Sequence, residues 1–331
     1  MQTALTRHAG IEVPLLCGAM YPCSNWELVA AVSAAGGMGI LQPISTVYVQ
    51  GLEFREGIRR IRSVTDRPIG MNVLTEQSSK VYLDRMKKWL DVALEEGVRF
   101  FVTSLGNPRW IVDRVAPHGG IVYHDVTERK WALKARDAGV HGLVAVNSDA
   151  GGHAGGRNPE QLLDECGDLG LPILCAGGIG DEAGFVRAID LGYAGVQMGT
   201  RFIATEECLT HPDYKRAILN AKAADIVLTD KISGVPVAVI RTPYIDKVGT
   251  KAGPLARILL RNPRTKHYMR MVYSLQSLWK LKQSLQKGSA YQAYYQAGKS
   301  VEGCTRIEPA GDIVRRYGAA LAGADKMRAV G

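Results

Sequence analysis

A lone histidine, His153, stands in a run of small residues, Asn147-Ser148-Asp149-Ala150-Gly151-Gly152-His153-Ala154-Gly155-Gly156. An imidazole titrates near neutrality, so it can act as base, acid or cationic stabiliser. Gly151, Gly152, Gly155 and Gly156 remove bulk around it, which would let a planar ring or a substrate come close. The competing reading is a histidine that is simply solvated. Two more glycine-rich turns follow, Ala176-Gly177-Gly178-Ile179-Gly180 and Gln197-Met198-Gly199-Thr200-Arg201. Glycine lets backbone N–H groups reach phosphate oxygens, a following helix adds its N-terminal partial charge, and Thr200 can add a hydroxyl. The alternative is tight turns and nothing more. Asn72 lies inside the apolar run Met71-Asn72-Val73-Leu74, where a carboxamide needs a partner. That partner is either a ligand edge or a hydrogen bond within the core. Gly18-Ala19-Met20, Gln42, Ser104, Gly106 and His124 end other apolar runs and are weaker candidates.

The elements that must hold these residues alternate. Strand-like runs fall at 13–17, 38–41, 68–74, 99–104, 120–124, 142–146, 171–176 and 194–198. Amphipathic runs separate them at 25–35, 51–64, 81–96, after Pro108, 127–138, 159–166 and 182–191. Thr127 is read as the N-cap of the helix over 127–138. Eight strand–helix alternations imply parallel pairing and a closed α/β barrel, the (β/α)₈ or TIM barrel. A doubly wound open sheet is disfavoured, because no Gly-x-Gly-x-x-Gly follows the first strand. In such a barrel the active site lies at the C-terminal strand ends, and phosphate often sits after strands seven and eight. The two glycine turns are at those two places.

After Glu207 the rhythm breaks. The expected division is a barrel over 1–208 and 304–331 with a helical insertion over 209–303, including a long helix from His267 to Gln286. A run over 306–321 reads as a terminal helix returning to the barrel. Residues 241–290 carry eleven Lys or Arg and one acid, Asp246, in a chain of net charge +9. Such a patch attracts anions, an acidic partner among them. Aromatic interleaving is modest there, so nucleic-acid binding is not expected.

The chain has 331 residues, 46% of them hydrophobic. No apolar run reaches the roughly 18 residues needed to cross a bilayer. The N-terminus shows no secretory core, which makes cytoplasm the expected compartment. Six cysteines are scattered, with no Cys-x-x-Cys and no clustered histidine, so free thiols and no metal are expected. The oligomeric state is open, a homodimer included.

Taken as a set, the motifs resemble one family. Asp149-Ala150-Gly151-Gly152-His153-Ala154-Gly155 resembles the Glu/Asp-Ala-Gly-Gly-His-x-Gly motif of the nitronate monooxygenases, formerly called 2-nitropropane dioxygenases. Ala176-Gly177-Gly178-Ile179 and Gln197-Met198-Gly199-Thr200-Arg201-Phe202 resemble its phosphate turns. Gly18-Ala19-Met20 resembles its Gly-Gly-Met flavin loop, with Ala19 in place of a glycine. The likeness covers about 10–210 and resumes near Tyr295. Val146-Asn147-Ser148 departs from the small pair common before the motif, and Lys299 stands where relatives show a Gly-Gln pair, which leaves substrate choice open.

The resemblance implies an FMN-dependent barrel. His153 would be catalytic. Gly177, Gly178, Gly199 and Thr200 would bind phosphate. Met20, Asn72 and Gln197 would line the flavin, with Gly18, Ala19, Ser148, Ala150, Gly151 and Gly152 around it. The implied reaction is oxidation of an alkyl nitronate with O₂ to a carbonyl compound and nitrite. Alternatives on the same barrel are an enoyl-acyl-carrier-protein reductase or a quinone reductase fed by NAD(P)H. From another class, a non-catalytic phosphate-binding barrel also fits the turns.

Overall fold

The computed structural model describes residues 2–75, 80–231, 235–251 and 294–330. Eight strands carry the frame: β1 (Leu15–Cys17), β2 (Met38–Leu41), β3 (Gly70–Leu74), β4 (Phe100–Ser104), β5 (Ile121–Val126), β6 (Gly142–Val146), β7 (Ile173–Ala176) and β8 (Gly195–Met198). They pair in parallel in chain order, and β1 pairs with β8, so the sheet closes into the barrel that the alternation predicts. Side chains alternate along each strand. Leu16, Ile40, Val102, Tyr123, Val144 and Leu174 point inward and pack on one another. Leu15, Leu41, Val73, Phe101 and Leu143 point outward against the helices. Those helices are α2 (Trp26–Ala34), α3 (Phe54–Arg62), α4 (Lys80–Glu95), α5 (Arg109–Val115), α6 (Arg129–Asp137), α7 (Pro159–Cys166) and α8 (Glu182–Asp190).

A short helix precedes them, α1 (Ala4–Ala9), which the pattern of apolar residues did not signal. Thr3 accepts from the Thr6 N–H and Thr6 reaches back to the Thr3 N–H, a reciprocal cap, and Gly10 ends the helix at φ 65°. Leu5 and Ala9 join the inward cluster and close the N-terminal end of the barrel.

The expected cap at Thr127 is not made. The residue before α6 is Glu128, without a side-chain cap bond, and its carboxylate pairs with Lys130 instead. Thr127 serves the next loop: a Cβ built on Gly155 would lie 3.2 Å from Thr127 Cβ.

Beyond β8 come α9 (Thr200–Ile203), α10 (Pro212–Asn220), β9 (Ile226–Thr229), β10 (Val237–Ile240) and α11 (Pro243–Val248). β9 and β10 form an antiparallel pair with Ile240 opposite Ile226 and Val237 opposite Thr229. The segment expected to be helical thus contains a hairpin. Its strands are two four-residue runs rich in β-branched residues, too short to stand out once the barrel rhythm has stopped. The helix expected over 267–286 lies outside the described residues, as does most of the basic segment 241–290. Among the described residues, no helix is long and apolar enough to cross a membrane and no group of side chains could hold a metal. All six cysteines are free and buried. Last, α12 (Ala310–Val330) packs on α2 and α8, with Tyr317 against Phe185.

Candidate active site

The loop that carries His153 is anchored at its base by Asn147, which is fully buried at the end of β6. Its Nδ2 donates to the Gly177 carbonyl at 3.2 Å, and its Oδ1 accepts from the Asp149 N–H at 2.9 Å. One carboxamide thereby ties the β6 loop to the β7 turn. Ser148 is held through its N–H to the Arg157 carbonyl at 2.7 Å.

The loop's glycines do a different job from the one expected of them. A Cβ on Gly151 would come within 2.8 Å of Gly298 N, and one on Gly155 within 2.5 Å of the Val146 carbonyl oxygen. The missing bulk admits protein chain, not only a ligand. At Gly151 that chain is the segment after Tyr294, which lies across the loop. Lys299 N–H donates to the Asp149 carbonyl at 2.9 Å, and Lys299 Nζ pairs with Asp149 Oδ1 at 2.7 Å. The hairpin completes the cover. Ala238 N–H donates to the Gly152 carbonyl at 2.7 Å, and Ile240 N–H to Tyr295 at 2.8 Å. Backbone of β10 therefore fixes the residue next to His153.

At the β7 turn, Gly177 and Gly178 sit at φ 123° and 81°, in the left-handed region that glycine tolerates. A Cβ on Gly177 would stand 2.5 Å from Ala150 N and closer still to Asn147 Oδ1. Gly177→Ala is therefore expected to destabilise by roughly 2–4 kcal/mol through strain and overpacking. Gly156→Ala, where nothing lies within 4 Å, should change stability by less than about 0.5 kcal/mol. Urea midpoints of the two variants measure the difference, and equal midpoints would refute this account of the turn.

At the β8 turn, α9 begins at Gly199 with no side-chain cap, so its first N–H groups are open to an anion. Thr200 is buried, and its Oγ1 accepts from the Gly298 N–H at 3.0 Å. Its hydroxyl proton is still available to an acceptor. Met20 packs on Gly199, and a Cβ on Gly18 would meet Gln197 Cγ at 2.8 Å. Ala19 is half-buried beside the inward cluster. The His153 loop, both glycine turns and the Gly18–Met20 loop thus form one continuous surface at the C-terminal mouth. Asn72 is engaged inside the barrel: Gln42 Nε2 donates to its Oδ1 at 3.0 Å, and its Nδ2 donates to the Val102 carbonyl at 3.3 Å.

His153 is exposed at the mouth, yet it is crowded enough by surrounding atoms that desolvation holds its pKa below 6.5. The neutral imidazole is its form at pH 7. His124, also named as a rim candidate, points outward. It is buried against Thr103 Oγ1 at 2.7 Å, and burial pushes its pKa down to about 4. A residue that the sequence reading passed over takes its place. Asp125 alternates inward with Tyr123, and burial pushes its carboxyl up to about 7.

The nitronate monooxygenase family matches this chain over residues 2–317. The chain belongs to the nitronate monooxygenase family. It is a flavin-dependent oxidoreductase on a TIM barrel. A CoA-ester dehydrogenase of Mycobacterium tuberculosis, acting on a 5-hydroxy-7a-methyl-1-oxo-octahydro-indene-4-carboxyl-CoA, is 31% identical, over 78% of this chain and 72% of its own length. A probable nitronate monooxygenase of Staphylococcus saprophyticus is 28% identical, over 75% of this chain and 81% of its own. The structure of FabK from Thermotoga maritima superposes with a TM-score of 0.79 at 28% identity, covering all of this chain and 99% of that one. A nitroalkane oxidase of Streptomyces ansochromogenes shares the fold, with a TM-score of 0.79 at 24% identity over 98% of this chain and 100% of that one.

The mouth fits a phosphate-bearing flavin. The uncapped α9 suits a phosphate. Asp125 Oδ1 and Gln197 Oε1 are buried polar atoms with no partner among the described residues, placed at the catalytic end.

Proposed function

We propose that this chain is an FMN-dependent nitronate monooxygenase that oxidises alkyl nitronates with O₂ to a carbonyl compound and nitrite. FMN supplies reversible acceptance of the donor's electrons and their passage to O₂. The observation that carries the reading is His153 at the barrel mouth, its loop held between the β7 turn and β10. The N–H groups at Gly178, Gly199 and Thr200 are the phosphate ligands in this reading. Met20, Gln197, Ser148 and Ala150 would border the ring in this reading. A neutral imidazole can take the α-proton of a nitroalkane at the carbon that becomes the carbonyl, and it can donate to the nitronate oxygen once protonated.

A second reading rests on the CoA-ester dehydrogenase relative, which is 31% identical to this chain. In it, the same barrel passes electrons between NAD(P)H and an acyl thioester or a quinone. Anaerobic mixing decides between the two. Propyl-2-nitronate should bleach the bound flavin rapidly, while NADH and NADPH should not. Rapid bleaching by a nicotinamide, with none by nitronate, would overturn the first reading.

A further inference from the structure

Leu105 stands where a leucine gains least. It is the one non-glycine residue at positive φ among the described residues, at 61°. In that left-handed conformation a Cβ crowds the following carbonyl oxygen, a cost that glycine escapes and asparagine tolerates. The usual return on a leucine is burial, yet Leu105 is 56% exposed. Strain of this kind persists only where the surroundings dictate it, and it gathers at ligand sites.

Here the surroundings do dictate it. Leu105 directly follows β4, at the mouth. The Thr75 N–H donates to the Ser104 carbonyl at 2.8 Å. The buried Thr75 hydroxyl is shared between the Ser104 carbonyl, at 3.1 Å, and the Leu105 carbonyl. Gly106 continues the turn at φ 120°, where a Cβ would meet Thr75 Oγ1 at 2.8 Å. The turn decides where the leucine stands. Phe101 and Thr103, outward on β4, are fully buried, and strict alternation would put residue 105 in the same layer. The left-handed step lifts Leu105 out of that layer and onto the rim.

The arc of the mouth beside it offers little to a charged group. Ser104 ends β4 and Val146 ends β6, both inward and partly open. Val146 packs on the apolar cluster of the lumen. Asp125 stands between them on β5, and burial pushes its carboxyl up to about 7, the direction set by poor solvation. The other arc is occupied. The β7 and β8 turns face the phosphate in the reading above. The segment after Tyr294 and β10 lie on the loop at Asp149, Gly151 and Gly152. A substrate whose reacting carbon lies at His153 has the β4–β6 arc for the rest of its skeleton.

We propose that Leu105 is a specificity-determining residue, held out by its strained turn as an apolar wall that selects nitronates with a longer alkyl chain over short ones. The substrate class rests on the nitronate reading; the apolar wall does not.

Three measurements test this. Leu105→Gly should unfold at a higher urea concentration than Leu105→Ala, because alanine keeps the crowded Cβ. The reverse order would overturn the strained turn. In the FMN-loaded enzyme, Leu105→Asn suits the left-handed turn but offers no apolar wall. Its kcat/KM for hexylnitronate relative to ethylnitronate should fall roughly tenfold, through KM, the worth of two methylenes partly withdrawn from water. An unchanged ratio would overturn the proposal. The third measurement needs no turnover. Hexanoate and acetate, planar anions like the nitronates, are titrated against the absorbance of the bound flavin. Hexanoate should bind the native chain more tightly than acetate, and Leu105→Asn should lose most of that preference. Equal affinities in the native chain would overturn the wall. If no nitronate of either length is oxidised but Leu105 still sets the hexanoate preference, the proposed function fails and the apolar wall stands.

Discussion

Replacing His153 with Asn is expected to lower turnover of the electron donor by roughly 10²–10⁴-fold, the usual worth of a general acid–base group, while the flavin stays bound. Asn retains a polar head of similar size but cannot carry a proton. The loop around it is held by contacts that do not involve the imidazole: Asn147 to Gly177, Lys299 to Asp149 and Ala238 to Gly152. The variant therefore separates chemistry from architecture. The direction of the His153 shift sets the pH dependence. Desolvation lowers the pKa, so the neutral base is complete above 6.5 and is lost as pH falls below it. With a nitroalkane as donor, the native chain should show an acid limb below pH 6.5 in kcat/KM, and His153→Asn should lack it. A preformed nitronate needs no proton removed and should show a weaker limb. Loss of FMN from the variant, or an unchanged acid limb, would show that His153 was misassigned.

The strands were legible because each is a short apolar run bounded by glycine or polar punctuation, and parallel strands buried on both faces read that way. Position within the barrel then followed from counting, which placed both glycine turns at the mouth. What the runs did not reveal was facing. His124 and Asp125 are neighbours, and strict alternation from Tyr123 turns one outward and the other inward. A charged residue at an inward position was the available signal, and the titratable histidine beside it drew attention away. The glycines show a second limit. Gly151 and Gly155 read as room for a ligand, but the structure fills that room with its own chain. For Gly151 nothing local to the loop encodes that, because the partner chain arrives 147 residues later, at Gly298, whereas Gly155 is closed by Val146 and Thr127 nearby. The hairpin that covers Gly152 was hidden for the same reason: its docking is a long-range backbone contact between strands of four residues.

Glu308→Ala is expected to cost about 3–5 kcal/mol of stability, the penalty for breaking a buried ion pair by removing one partner. Glu308 is 7% exposed and pairs with Arg201, which is 2% exposed, and with Arg306 and Arg316. Arg201 comes from α9, directly after Thr200 of the β8 turn, and Arg316 also pairs with Glu182 at the start of α8. One carboxylate therefore ties α12 to both turns at the mouth. Burial alone would raise the Glu308 pKa, but Arg316, Arg201 and Arg306 outweigh it and hold it below 4.5. Its contribution is thus present above the unfolded value and lost as pH falls below about 4.5. Urea midpoints at pH 7 and pH 4 should show a larger gap between native and variant at pH 7. Replacing the central pair together, Arg201→Met with Glu308→Leu, should recover most of the loss, because the uncompensated Arg201 charge is then gone. If the double variant is as unstable as Glu308→Ala alone, the loss lies in packing rather than in a stranded charge. In either case FMN affinity should fall with Glu308→Ala, because the α9 N-terminus is aimed by the same guanidinium that Glu308 holds.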